Sequence, residues 1–293
     1  MQVVVYSQIV KEKDIPHFQN LFDALHDEDV NVYIYKPLLE QLSGLVRFKK
    51  NVGVFEGFLD LSVKKIDFFI ALGGDGTILG AVTLVRDSRV PILGINLGRL
   101  GFLAGIEKKR IREAIGLVVK GQYAVEERSL LQLESNMPLF GEMPFALNDC
   151  TLLKRDTSSM ITIHAFINGD YLNTYWADGI IVATPTGSTG YSLSCGGPIV
   201  FPNSGNFVIT PVAPHNLNVR PIVISDHSII SFEIEGRADN FLCTLDSRFE
   251  TITSQHMLAV RRCDFRIRLL QLHDVGFLQT IRTKLAWGAD SRN

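Results

Sequence analysis

Residues Ile66-Asp67-Phe68-Phe69-Ile70-Ala71-Leu72 are nearly all apolar and run directly into Gly73-Gly74-Asp75-Gly76-Thr77, after which helical spacing resumes. A strand without polar alternation is covered on both faces, as in a parallel sheet flanked by helices. Ligands of such sheets bind beyond the carboxyl ends of the strands, which is where this glycine turn falls. Three glycines let phosphate oxygens approach the backbone, and the start of the next helix offers unpaired N–H donors at its positive end. Asp75 projects from that turn. Beside a phosphate its charge is unfavourable unless it meets Mg²⁺ or takes a proton from an attacking hydroxyl. The spacing is neither GxGxxG nor GxxxxGK[ST], so neither a dehydrogenase-type dinucleotide turn nor a Walker A loop is indicated. Read alone, the same residues also make a tight turn with Asp75 as a helix cap.

The flanking sequence supports the sheet. Val3 to Tyr6, Val32 to Ile34 and Pro91 to Ile95 read as strands. Ile15, Phe18, Leu21, Phe22 and Leu25, after Asp14, fall on one helical face, and Pro37 to Phe48 reads as a weaker helix. Ile111, Ala114, Ile115, Val118 and Val119 mark a further helix. Strands alternating with helices give βαβ units, a Rossmann-like α/β domain over residues 1–127. After Glu127 strands dominate. Ile161 to Ile167 leads through Asn168-Gly169 into Tyr171 to Trp176, a strong hairpin signal. Ile229 to Glu235, Phe241 to Leu245 (around Gly236-Arg237-Ala238-Asp239) and Met257 to Leu272 extend the pattern into a mostly-β sandwich over 128–272. Phe277, Leu278, Ile281 and Leu285 return to helical spacing, and the tail 273–293 is expected to pack on the first domain. Ser135 to Pro144, with two prolines and a glycine, is the best candidate for a mobile loop.

Composition narrows the partners. The chain has 293 residues, beyond the ~250 at which single cores tend to split, and is 46% hydrophobic with a net charge of −2. That balance gives no reason to expect nucleic acid or an anionic membrane. No apolar run approaches the ~20 residues of a membrane span, and the N-terminus lacks the form of a signal peptide, so a cytoplasmic protein is expected. The four cysteines show no CxxC pair or zinc spacing and are expected to be free and mostly buried; no metal site built by the protein is expected.

A second motif follows the strand Ile180 to Ala183. Thr184-Pro185-Thr186-Gly187-Ser188-Thr189-Gly190-Tyr191-Ser192-Leu193-Ser194-Cys195-Gly196-Gly197-Pro198 is dense in hydroxyls and glycines, which suit phosphates and ribose. A solvated turn capping a short helix is the plainer alternative. Neither Ser188 nor Ser192 has the flanking glycines of a hydrolase GxSxG elbow. Asn148-Asp149 and Asp178-Gly179 add two carboxylates, each alone an ordinary turn or cap residue. With Asp75 they suit sugar hydroxyls, or Mg²⁺ brought in by a nucleotide.

Four segments in order, Gly73 to Thr77, Gly94-Ile95-Asn96-Leu97-Gly98-Arg99-Leu100-Gly101-Phe102-Leu103, Asn148-Asp149 and Asp178 to Pro198, make the chain resemble the NAD kinases. These enzymes phosphorylate the adenosine ribose 2′-hydroxyl of NAD, using ATP or polyphosphate. The resemblance implies that Asp75 is the base or orients the hydroxyl, and that Gly76 lies against the substrate. It implies that Gly73, Gly74 and Thr77 meet the phosphate donor and its Mg²⁺ or other divalent cation. Asn148, Asp149, Ser159, Trp176, Asp178, Thr189, Gly190, Tyr191, Ser192, Leu193, Ser194 and Arg248 are implied in the dinucleotide site. A homodimer or homotetramer is implied too. The glycine turn alone is shared with diacylglycerol- and sphingosine-type lipid kinases, and a non-catalytic nucleotide-binding regulator is the other rival. The hydroxyl-rich loop favours a nucleotide over a lipid, and retention of Asp75 favours catalysis.

Overall fold

The structure is a computed structural model that describes residues 1–98, 101–155, 159–236, 240–272 and 276–287. The chain divides into two units, Met1–Glu127 with Ile267–Asn293, and Arg128–Arg266.

The first unit opens with strand β1 (Gln2–Tyr6), helix α1 (Ile15–Asp27), β2 (Asn31–Tyr35), α2 (Lys36–Leu42), β3 (Gly53–Phe55) and α3 (Leu59–Val63). It continues with β4 (Phe68–Gly73), α4 (Asp75–Val85), β5 (Ile92–Asn96), the short β6 (Ile106–Glu107) and α5 (Ile111–Val119). Its sheet runs β5-β4-β1-β2-β3, all pairs parallel, with β6 alongside β5. Val3, Val5, Ile70, Leu72, Leu93 and Ile95 bury one face of the sheet in a single core cluster, against Phe18, Leu21, Leu25 and Ile115 of the helices. Helix α2 is shorter than Pro37 to Phe48: it stops at Leu42, because Ser43 is extended and Gly44 takes φ +74°. The pieces β3 and α3 were not legible in the sequence, being only three and five residues long.

The second unit takes up β7 (Ala124–Ser135) and adds β8 (Phe145–Ala146), β9 (Asp149–Lys154), β10 (Ile161–Ile167), β11 (Asp170–Ala177), β12 (Gly179–Ala183) and α6 (Tyr191–Ser194). Strands β13 (Asn206–Val212), β14 (Ile222–Ser225), β15 (Ile230–Glu235), β16 (Phe241–Leu245), β17 (Arg248–Ile252) and β18 (Leu258–Gln271) follow, and helix α7 (Phe277–Leu285) is again part of the first unit. One antiparallel sheet has the order β14-β13-β12-β9-β16-β17. The other pairs β11 with β10, β10 with β15, and β15 with the start of β18, also antiparallel. Leu152, Ile163, Tyr175, Ile180, Phe207, Phe232 and Phe241 fill one core, as alternation on both sheets requires. The Asn168-Gly169 hairpin forms, both residues at positive φ.

Three sequence expectations change. The second domain ends at Arg266, not at 272: β18 is one continuous strand, and Leu269 near its end pairs with Ile92 of β5. Strands β15 and β16 belong to different sheets, so the turn between them makes no hairpin; its residues Arg237, Ala238 and Asp239 lie outside the described residues. The segment Ser135 to Pro144 is pinned. Phe140 is buried and donates its N–H to Glu250 at 2.7 Å, and Leu133 donates to the Pro144 carbonyl at 2.7 Å.

Candidate active site

Strand β4 delivers the chain at Gly73, and α4 begins at once with Asp75. Gly74 is the N-cap and has no side chain, so Asp75 is not the cap that the plainer reading made it. Its carboxylate instead reaches across to the segment after β5. Oδ2 accepts the N–H of Phe102 at 2.8 Å, and Oδ1 accepts those of Leu103 and Ala104 at 3.0 Å each. A Cβ on Gly101 would lie 1.8 Å from Asp75 Oδ1, so the backbone can approach this closely only at glycine. Part of the Gly94 to Leu103 motif therefore serves to hold Asp75; Arg99 and Leu100 lie outside the described residues.

Around the same turn, Leu97 donates its N–H to the Gly73 carbonyl at 3.3 Å, and Asn96 Oδ1 accepts the N–H of Gly98 at 2.6 Å. Gly73, Gly74 and Thr77 line a cavity of about 290 Å³ in this unit, together with residues between Gln8 and Asp14 and with Asn96 to Gly98. Gly76 is exposed beside it in sequence.

In the second unit the other acidic motif is clamped in a similar way. Asp246, in the turn between β16 and β17 with φ 55°, accepts the N–H groups of Leu147 at 2.9 Å, Asn148 at 2.7 Å and Asp149 at 3.3 Å, and returns its own N–H to the Asp149 carbonyl at 3.0 Å. Asp149 is buried, with the Thr151 hydroxyl on its Oδ1 at 3.0 Å. Burial, and then the charge of Asp246, push its carboxyl up to about 7. Burial also raises Asp246, against the pull of its three N–H bonds and of Arg248. Asp178, half-buried before β12, pairs with Lys154 at 2.6 Å. The Tyr191 phenol is raised by burial and, in smaller part, by Cys195, Asp149 and Asp178.

The hydroxyl-rich loop behaves differently from the expectation. Most of its hydroxyls face inward and build the loop itself. Thr184 donates to the Leu147 carbonyl at 2.6 Å, and Ser188 donates to Pro185 at 2.7 Å while accepting the N–H of Val200 at 2.9 Å. Ser192 has no exposed surface and bonds Thr210 at 2.8 Å, so it is a support rather than a ligand contact. Thr189 donates to the Thr186 carbonyl at 3.2 Å. A Cβ on Gly187 would fall 2.0 Å from the Asn148 carbonyl oxygen, which locks the loop against the Asn148-Asp149 segment. Tyr191 and Ser194 are exposed; Gly190 and Leu193 are half-buried.

Arg248 also has a different task from the one implied. Its guanidinium donates to the carbonyls of Met143, at 2.5 Å, and Phe145, and lies over the rings of Phe140 and Phe145. It braces the segment leading to Asn148. Trp176 is 53% exposed and tilted against His215, with ring centroids 4.9 Å apart. Ser159 is half-buried in the loop after β9. Two residues that sequence reasoning missed are Asp246 and the buried Arg128, which reaches the Thr186 hydroxyl at 3.4 Å; no local pattern marks either. The cysteines are free, three of them buried. No group of three or more His, Cys, Asp or Glu is placed to hold a metal among the described residues.

A family model described as the ATP-NAD kinase N-terminal domain matches residues 10–123, and one described as the C-terminal domain matches residues 147–272. The NAD kinase of Cytophaga hutchinsonii is 45% identical over 294 residues, and that of Flavobacterium psychrophilum 43% over 299, each alignment covering 100% of both chains. Among solved structures, yeast NADH kinase complexed with NADH aligns with a TM-score of 0.88 over 98% of this chain and 88% of its own, at 24% identity. An Archaeoglobus fulgidus NAD kinase in complex with ATP aligns with a TM-score of 0.75 over 98% and 99%, also at 24% identity. At that identity the two structures speak for the fold alone. Matched in both of its units and along its full length by these relatives, the chain belongs to the NAD kinase family.

Proposed function

We propose that this chain transfers the terminal phosphoryl group of ATP, or of another phosphate donor, to the 2′-hydroxyl of the adenosine ribose of NAD, giving NADP. One observation carries the chemistry: Asp75 sits at the end of β4 with its carboxylate fixed by three backbone N–H groups. A carboxylate offers about four lone-pair sites. Three are used, which leaves one on Oδ2 to accept a hydroxyl. In the transfer, the 2′-oxygen bonds to phosphorus while the phosphorus–oxygen bond to the rest of the donor breaks. The electron pair leaves with that oxygen, and the hydroxyl proton is lost. Such transition states are loose, so positioning dominates and can supply roughly 7–11 kcal/mol. We assign Asp75 to orient the hydroxyl and take its proton, with Gly73, Gly74, Gly76 and Thr77 forming the bare wall that phosphate approaches.

With Ser192 and Arg248 engaged internally, the dinucleotide rests on Asn148, Asp149, Asp178, Tyr191 and Ser194, with Trp176 as an exposed aromatic face. Mg²⁺ or another divalent cation, brought on the donor's phosphates, would neutralise charge developing there. The turn suits this, because a cation that keeps phosphate and water ligands needs few carboxylates from the protein. No described helix is long and apolar enough to cross a membrane. Free thiols fit a reducing cytoplasm, and the family resemblance favours a homodimer or homotetramer. The deciding experiment is NADP formation by the purified chain, read by a coupled dehydrogenase, with ATP, other nucleoside triphosphates and polyphosphate as donors. Absence of product with every donor would overturn the reading.

A further inference from the structure

Two carboxyl groups share one corner of the second unit, and their hydrogen-bond partners divide unequally between them. Asp246 accepts three backbone N–H groups, those of Leu147, Asn148 and Asp149. An ionised carboxylate only accepts, so this set of donors suits the charged form, and the Arg248 guanidinium favours it further. Asp149 has a single donor, the Thr151 hydroxyl on Oδ1 at 3.0 Å. Its Oδ2 has no hydrogen-bond partner among the described residues, yet it is not sealed off. The residue keeps 8% of its surface, and Oδ2 lies 4.0 Å from where a Cβ on Gly190 would stand. Gly190 has no side chain to cover it and directly precedes Tyr191, one of the residues assigned above to the dinucleotide. Burial opposes two charges in one corner, and Asp246 is the better compensated, so the proton resides on Asp149. The other titratable groups near it are the Tyr191 phenol of α6 and the Cys150 thiol of β9, the latter against Cys243 of β16. Burial raises Tyr191, and Cys243 together with burial raises Cys150, so both stay neutral around pH 7. Strand β12, paired with β9, carries no titratable side chain, and Asp178 beyond it is paired with Lys154.

We propose that Asp149 meets the dinucleotide as a neutral acid, donating its Oδ2–H to an acceptor atom of the ligand, so that binding requires a proton on this carboxyl. This rests on the dinucleotide-site reading above and adds the protonation state the site selects, and with it a response of NADP formation to pH. The ionised form fails twice. It offers no donor, and it sets a second negative charge beside Asp246 against a ligand that carries a negative pyrophosphate. With the carboxyl raised to about 7, the competent fraction falls from about 0.9 at pH 6 to about 0.1 at pH 8. The apparent Kd for NAD therefore rises about 10-fold over that interval.

Titration calorimetry of the full chain with NAD, in the absence of a phosphate donor, tests this without turnover. Wild type is expected to bind about 10-fold more weakly at pH 8 than at pH 6. At pH 7 it should take up about half a proton per NAD, read from the dependence of the binding heat on the ionisation enthalpy of the buffer. Asp149→Asn keeps an N–H donor in the place of Oδ2–H but cannot titrate. Whatever its absolute affinity, its values at the two pH should agree within about twofold, and the proton uptake should vanish. Wild-type affinity that is constant from pH 6 to pH 8, or proton release in place of uptake, overturns the proposal. So does a pH slope that survives unchanged in Asp149→Asn. These failures leave the parent reading standing, whereas a chain that binds no NAD at any pH overturns the dinucleotide site and the proposal together.

Discussion

Replacing Asp75 by Asn is expected to do more than remove a catalytic group. The carboxylate holds Phe102, Leu103 and Ala104 through three charge-assisted bonds. The amide oxygen of Asn can keep the pair on Leu103 and Ala104, but its NH₂ then faces the Phe102 N–H, donor against donor. Two retained bonds lose charge assistance, worth up to about 1 kcal/mol each, and the third is lost and leaves an unpaired N–H, for a total of about 3 kcal/mol. At ~1.4 kcal/mol per decade, that raises local opening of the segment about 100-fold. Hydrogen exchange reads this directly: the amides of Phe102, Leu103 and Ala104 should lose about two decades of protection in Asp75→Asn. NADP formation should fall by about two orders or more. Protection unchanged within about threefold would show that the carboxylate does not anchor the segment, and the orientation argument would fail with it.

Other expectations follow from single contacts. Gly187→Ala should lower thermal stability sharply, since its Cβ meets the Asn148 carbonyl at 2.0 Å and overpacking costs about 1–3 kcal/mol or more; an unchanged Tm would refute that packing. Ser188→Ala leaves the Val200 N–H without its acceptor and should cost about 1–3 kcal/mol by urea titration. Asp149 has a folded pKa raised from 3.8 to about 7, so the folded state binds its proton more tightly than the unfolded chain does. The stability this provides is complete below about pH 4 and is lost as pH rises through about 7, by up to about 4 kcal/mol. Asp149→Asn should therefore unfold at higher urea than wild type at pH 8 and lose that advantage near pH 4. Equal differences at the two pH values would contradict the burial of this carboxyl.

The parallel sheet, the glycine turn at the end of β4 and the Asn168-Gly169 hairpin could be read from the order of residues, because periodicity and turn chemistry are local properties. The change of architecture after Glu127 was equally plain. The hydroxyls of residues 184–192 looked like ligand groups, since a sequence shows how many donors a loop has but not which way they face. Only packing turned Thr184, Ser188 and Ser192 inward. The clamps were invisible for the same reason: Phe102 to Ala104 lie 27 to 29 positions beyond Asp75, and Asp246 lies 97 to 99 beyond the amides it holds. A carboxylate carries no mark of a partner so distant, and folding alone brings the two together.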